Sequence, residues 1–169
     1  SVIGTDDQGD ELLNILKRRR FSTSCIVQST DRQTTVKTRV IAANQHVLRV
    51  DREDKEDLNN IEESKLLTAM NSLIKNNEID IILLQDYNKG VLSKSMIKNT
   101  LDLATKNSIL TAVDPKKRNF LAFKNVSLFK PNLNEVQEQL PFEIRPNIED
   151  LNKADAFLRS KLDHKISLI

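Results

Sequence analysis

Asp86, Tyr87, Asn88 and Lys89 stand in a row at the end of an apolar run, and their types could build a polar site. A carboxylate can hold a cation or accept from a hydroxyl, and an ammonium can meet an anion. Two later stretches end in the same style, Val113-Asp114-Pro115-Lys116 and Lys130-Pro131-Asn132-Leu133-Asn134-Glu135. Asp86, Lys89, Asp114, Lys116, Asn132 and Glu135 thus supply acids, an amide and ammonium groups together. The acids could hold Mg²⁺, directly or through water, and the lysines could meet phosphate oxygens. These are the parts that phosphoryl transfer needs. Any one of these turns could be an ordinary solvated β-to-α connection. Their repetition favours a nucleotide- or phosphosugar-binding domain.

The elements that must position these residues can be read from hydrophobic periodicity. In Ile79–Gly90, five apolar residues occupy six positions, the pattern of a strand buried on both faces. In open α/β sheets, ligands sit outside the carboxyl ends of the strands. Ahead of this strand, Asp7–Arg20 carries Leu12, Leu13, Ile15 and Leu16 at helical spacing, with Asp6 or Asp7 as its cap. Ser24–Gln28 reads as a short strand. Thr34–Ala42 and Gln45–Asp51 are β-branched and separated by Ala43-Asn44, which suits a tight hairpin. Within that hairpin Lys37 and Arg39 share one face and Val36 and Val40 the other. Such cations can protect an edge strand or serve as donors to a phosphate.

A charged loop, Arg52–Asn59, leads to Asn60-Ile61-Glu62-Glu63, spaced as a capping box for a helix reaching about Asn76. Ser93–Asn107 is a helix, Ile109–Val113 and Val126–Phe129 are strands, and a short helix starts near Leu133. Ile148–Leu162 is a longer helix and Lys165–Ile169 the last strand. Strands alternating with helices predict an α/β fold: a mostly parallel sheet with helices on both faces and a projecting hairpin.

Composition narrows the function classes. The 26 basic and 24 acidic residues nearly balance, which gives no support to a protein that coats nucleic acid. No apolar run approaches a membrane span and no signal peptide opens the chain, so a cytoplasmic protein without a membrane partner is expected. Glycine occurs only three times, so no glycine-rich phosphate loop lies within the sequence. The sole cysteine, Cys25, has no base beside it and reads as a half-buried strand residue. His46 and His164 lack ligand-like neighbours, which argues against zinc. Phe120, Phe123, Phe129, Phe142 and Phe157 read as core. Ser1-Val2-Ile3-Gly4 looks like a strand already under way, and Ile166–Ile169 like a strand that stops. Residues 1–169 are therefore expected to form the middle portion of something longer.

Five segments occurring in order carry a resemblance: VIGTDDQGDEL, TVKTRVIAANQHVLRVDRE, LLQDYNKGVLS, AVDPKKRNF and LFKPNLNEV. The chain resembles the PfkB/ribokinase family of sugar kinases, and within it the heptose-7-phosphate kinase domains of ADP-heptose synthesis. The resemblance implies a ribokinase-like fold and an ATP- and Mg²⁺-dependent transfer to a heptose 7-phosphate, at O1, for lipopolysaccharide precursors. It implies that Asn132 and Glu135 match the N-x-x-E motif that helps hold Mg²⁺ and the ATP phosphates, and that Lys116 matches the DPK lysine. Lys37, Arg39, Arg49 and Asp51 match a lid over the sugar, and Asp86 and Lys89 match the DY-x-KG loop beneath it. The family's GG-x-x-x-N segment and its GAGD motif with the catalytic base are absent, so no catalytic residue is expected in this chain and the fragment alone is expected to be inactive. Asn88 stands where the family often has Gly or Ala. A homodimer through the lid hairpin, using Val36, Val40 and Val47 or Leu48, is also expected. Two alternatives remain open: another sugar specificity within the family, or a non-catalytic module that interacts through the lid.

Overall fold

The computed structural model describes residues 1–76 and 79–169. The chain divides into two units, Ser1–Met70 with Lys89–Val91, and Asn71–Asn88 with Leu92–Ile169.

In the first unit, strand β1 (Val2–Gly4) pairs in parallel with β2 (Val27–Ser29). Helix α1 (Asp7–Arg18) starts on Asp6, whose carboxylate accepts from the Gly9 N–H at 2.9 Å. The other Asp6 oxygen accepts from the Thr34 N–H, and the Thr34 hydroxyl accepts from the Gly4 N–H, both at 2.9 Å. One aspartate therefore caps the helix and ties the root of the hairpin to β1. The hairpin is β3 (Val36–Ala42) against β4 (Gln45–Arg52), antiparallel and, among the described residues, paired with no other strand. Its turn residues Ala43 and Asn44 have φ of 48° and 60°, the left-handed pair that matches strand twist in a two-residue hairpin. A bulge between Val40 and Ile41 shifts the register near the tip. Helix α2 (Asn60–Lys75) begins here and continues into the second unit.

The second unit holds four parallel strands in the order β5 (Ile81–Gln85), β6 (Leu110–Asp114), β7 (Leu128–Phe129) and β8 (Ile166–Ser167). Helix α3 (Lys94–Lys106), a kinked 3₁₀ segment (Lys117–Ala122), α4 (Leu133–Gln137) and α5 (Ile148–Leu162) connect them. Leu84, Val113 and Phe129 lie in register on one sheet face. They join Ile97, Phe120, Phe123, Leu158 and Leu162 in one core, with Phe120 edge-on to Phe129 at 5.1 Å. Phe142 meets Phe157 edge-on at the margin of this core. Among the described residues no helix is long and apolar enough to cross a membrane.

Several sequence expectations need correction. The central strand is buried on one face only: Ile81 and Leu83 are 53% and 66% exposed, while Leu84 between them and Gln85 is buried. The strand lies at the margin of the four-stranded sheet, and its neighbour Leu110, in register with Ile81, is exposed beside it. The early strand is Val27–Ser29, later than expected, and Cys25 sits in the preceding turn, half-buried. The capping box of α2 uses Asn59 and Glu62, one residue ahead of the expected pair. Both asparagines have an acid three residues on, and burial of Glu62 selects the earlier register. Helix α1 ends at Arg18 rather than Arg20, whose φ is 60°.

Candidate functional site

Because β5, β6 and β7 run parallel, their carboxyl ends fall on one edge, and that edge carries Asp86, Asp114, Lys116, Asn132 and Glu135, whereas Lys89 belongs to the first unit. Gln85 is in register with Asp114, and the Asp86 N–H donates to the Asp114 carbonyl at 3.0 Å. The two strand-end aspartates are therefore held side by side by the ladder itself.

Asp86 is only 3% exposed. Its Oδ1 accepts from the Asn88 N–H at 2.7 Å, an Asx turn that helps hold Asn88 at φ 53°. Its Oδ2 is buried without a hydrogen-bond partner, as is the Asn88 Oδ1. Burial pushes the Asp86 carboxyl above the ordinary aspartate range, against the opposing pull of the Asn88 N–H and of Arg118 and Lys116. Two unpartnered acceptors at a strand's carboxyl end suit a hydroxyl or ammonium donor brought by a ligand.

Asn132 and Glu135 form a reciprocal box at the start of α4. The Asn132 Oδ1 accepts from the Glu135 N–H, and Glu135 Oε2 accepts from the Asn132 N–H, both at 2.9 Å. Glu135 Oε1 pairs with the Lys116 ammonium, which this carboxylate raises above the usual lysine range. The three residues matched to nucleotide binding are thus one connected group, fixed by a box that needs this spacing of Asn and Glu. Asp114 completes the edge, 3.7 Å from Lys130. No group of three His, Cys, Asp or Glu able to hold a metal occurs among the described residues. Glu135 has one protein partner on each oxygen, which leaves it able to accept from a metal's water. That donor set fits Mg²⁺ held chiefly by phosphates and water, as Mg²⁺ commonly is.

Of the residues matched to substrate binding, Lys37, Arg39, Arg49, Asp51 and Lys89 lie in the first unit and Asp86 in the second. Lys37 stands opposite Asp51 across the hairpin and meets it at 2.9 Å, and Arg49 reaches the other Asp51 oxygen at 2.8 Å. Lys37 is held above, and Asp51 below, the ordinary range by this contact. Arg39 stands directly opposite Arg49 on the same face. Like charges so placed destabilise a hairpin unless an anion joins them. Lys89 meets Glu53, which also takes Lys37 at 3.4 Å. Lys89 holds Glu53 below the usual glutamate range.

Sequence reasoning missed Glu53, read as part of a charged loop. Its signal was alternation, because Arg49, Asp51 and Glu53 continue one face of β4. It also missed Arg32, which donates to the carbonyls of Glu56 and Lys89 at 2.8 and 2.9 Å. His46 is exposed on the hairpin. His164 is buried against Phe129 and Ser167. The Ser167 hydroxyl donates to Asp155, which makes this network a tie between α5 and β8 rather than an activated nucleophile.

The described elements form an α/β fold with acids, an amide and a lysine along one strand-end edge, and solved structures agree on the fold. Ribokinase from Giardia lamblia superposes with a TM-score of 0.72 at 16% identity, covering 98% of this chain and 49% of that one. Escherichia coli phosphofructokinase-2, solved in complex with potassium, superposes with a TM-score of 0.71 at 18% identity, over 98% of this chain and 52% of that one. Residues 1–166 match the pfkB family of carbohydrate kinases, and the chain belongs to that family. It is similar to the bifunctional protein HldE of Helicobacter pylori, 39% identical over 158 residues, which are 94% of this chain and 34% of that protein. HldE of Aliarcobacter butzleri is 35% identical over 169 residues, all of this chain and 35% of that protein. The chain spans about a third of the length of these curated relatives.

Proposed function

We propose that the protein, at full length, is an ATP-dependent sugar kinase that phosphorylates a heptose 7-phosphate at O1, in the cytoplasmic synthesis of ADP-heptose for lipopolysaccharide. The observation that carries the phosphorylated substrate is the cationic group of the first unit. Lys37, Arg49 and Lys89 pair with two carboxylates, Asp51 and Glu53, and Arg39 stands opposite Arg49 across the hairpin. An anion with the charge of a phosphate monoester relieves that repulsion. The similarity to HldE over the whole chain supports the choice of heptose over other sugars.

On this reading Lys116, Asn132 and Glu135 serve the nucleotide. Lys116 meets phosphate oxygens, and Glu135 and Asn132 would hold Mg²⁺ through its waters. Held there, Mg²⁺ would supply positive charge to offset the charge that develops on transfer. Asp86 is proposed to accept from a sugar hydroxyl, its unpartnered oxygen being the acceptor left over. A bond forms between the sugar oxygen and the γ-phosphorus as the bond to ADP breaks. The hydroxyl proton passes to a base of the parent protein, the role that the family resemblance gives to the GAGD aspartate.

Incubation of the full-length protein with ATP, Mg²⁺ and a panel of sugars and sugar phosphates tests the reading. Turnover of heptose 7-phosphate well above fructose 6-phosphate or ribose is the expected result, and preference for an unphosphorylated sugar overturns it. We also propose a homodimer through the hairpin. Val40 and Leu48 lie opposite one another on its second face, both exposed, with Val36 and Val50 alongside. Light scattering should show a dimer that Val40→Glu dissociates; a monomeric parent refutes this.

A further inference from the structure

Under the cationic group of the first unit lies one carboxylate. The Glu53 side chain is 10% exposed, against 37% for Lys37 and 25% for Lys89. Its Oε2 takes the Lys37 ammonium at 3.4 Å, and its Oε1 takes those of Lys89 and, at 3.4 Å, Lys55. Three ammonium groups from a strand, a loop and the segment between thus converge on one enclosed anion.

The backbone around Lys89 is held just as firmly. Arg32 forks onto the carbonyls of Glu56 and Lys89. The Leu58 N–H donates to the Gly90 carbonyl at 3.2 Å. Gly90 has φ +76°, and a side chain there would start 1.6 Å from the Glu56 carbonyl oxygen. Only glycine permits this approach. The segment bearing Glu53 and the loop bearing Lys89 are therefore locked together, and the carboxylate is placed to aim the lysine.

Lys37, Arg49, Lys55 and Lys89 outnumber Asp51 and Glu53 by two charges. That excess matches the charge of a phosphate monoester, about −1.5 to −2 at neutral pH. We infer that Glu53 is a positioning residue: from its enclosed place it holds Lys37 and Lys89 side by side, leaving their more exposed sides to take the substrate's phosphate. This rests on the reading that the cluster serves a sugar phosphate. Without Glu53, Lys37 keeps Asp51, whereas Lys89 loses its only carboxylate partner among the described residues and is free to swing.

A double-mutant cycle in the full-length protein tests the inference, with inorganic phosphate titrated calorimetrically and sugar-phosphate kinetics run alongside. Glu53→Gln is expected to weaken phosphate binding and raise the sugar-phosphate KM about tenfold, with kcat and the ATP KM within about twofold. Lys89→Gln should cost about as much, and the double variant little more than Lys89→Gln alone. Additive losses, or tighter phosphate binding by Glu53→Gln, overturn the inference. So does a parallel rise in both KM values, the sign of a general structural role. Should Glu53→Gln fail to fold, Glu53→Asp, which keeps the charge on a shorter arm, is expected to weaken phosphate about threefold; unchanged affinity overturns the inference. Weakened phosphate binding in a protein that turns over no sugar phosphate leaves the role of Glu53 standing and refutes the kinase reading. Turnover with an unaltered KM in Glu53→Gln does the reverse.

Discussion

Replacing Glu135 with Gln separates a catalytic role from a structural one, because the structure gives that side chain two distinguishable tasks. Its Oε2 closes the box with the Asn132 N–H, and its Oε1 pairs with Lys116. Glutamine keeps a carbonyl oxygen for the first task, since Glu and Gln both serve at the third position of a capping box. It removes the charge that Lys116 meets. The Lys116 side chain is 38% exposed, so solvent screens the pair, and its loss should cost no more than about 1 kcal/mol of stability. For a chain of this size that is a fall in Tm of about 2–4 °C. On turnover the expectation differs. A preorganised group acting on charge that develops in the transition state is worth about 2.7–4 kcal/mol, or about 10²–10³ in kcat. Steady-state kinetics of the full-length protein with ATP and heptose 7-phosphate, beside thermal unfolding, measure both quantities. The expected pattern is a collapse of kcat with an unchanged sugar-phosphate KM and a Tm only slightly lowered. Activity retained within about threefold removes Glu135 from the reaction and leaves it a helix cap.

Three further outcomes follow from single residues. Phe129→Ala empties a fully buried position between Phe120 and His164, and denaturant unfolding should show a loss of about 3–5 kcal/mol. Asp86→Asn keeps an acceptor for the Asn88 N–H while removing a charge that burial disfavours, so at pH 7 its Tm should rise while sugar-kinase turnover falls; a lowered Tm contradicts the account. Burial holds His164 below its ordinary value of 6.5, with Arg159 acting in the same sense and Asp155 and Asp163 against it. The unfolded chain then takes up the proton first, so this stability is complete above about pH 6.5 and falls as pH drops through the shifted range. His164→Asn should flatten that part of the stability–pH curve, and an unchanged slope rules His164 out as its source.

The alternation of helices with apolar strands was enough to assign an α/β fold, because a parallel sheet demands crossover helices whatever their side chains. Local chemistry also revealed its own signals. Ala43-Asn44 marked the hairpin turn, Ile148–Leu162 marked α5, and the Asn132–Glu135 spacing marked a box that depends only on residues three apart. Lys37, Asp51, Asp86, Lys116 and Glu135 could be nominated because their types suit phosphate chemistry and the family's motifs match them. Tertiary structure decided the rest. Burial is a property of neighbours, so nothing in IDIILLQ showed that Leu84 is covered while Ile81 and Leu83 are not. Glu62, not Glu63, caps α2 for the same reason. Glu53 and Arg32 acquire their partners only when distant segments meet at Lys89 and Gly90. A long-range ion pair leaves no periodic trace along the chain. Which acid serves which lysine is therefore decided by the path of the backbone, which brings Lys89 to Glu53 and Lys116 to Glu135.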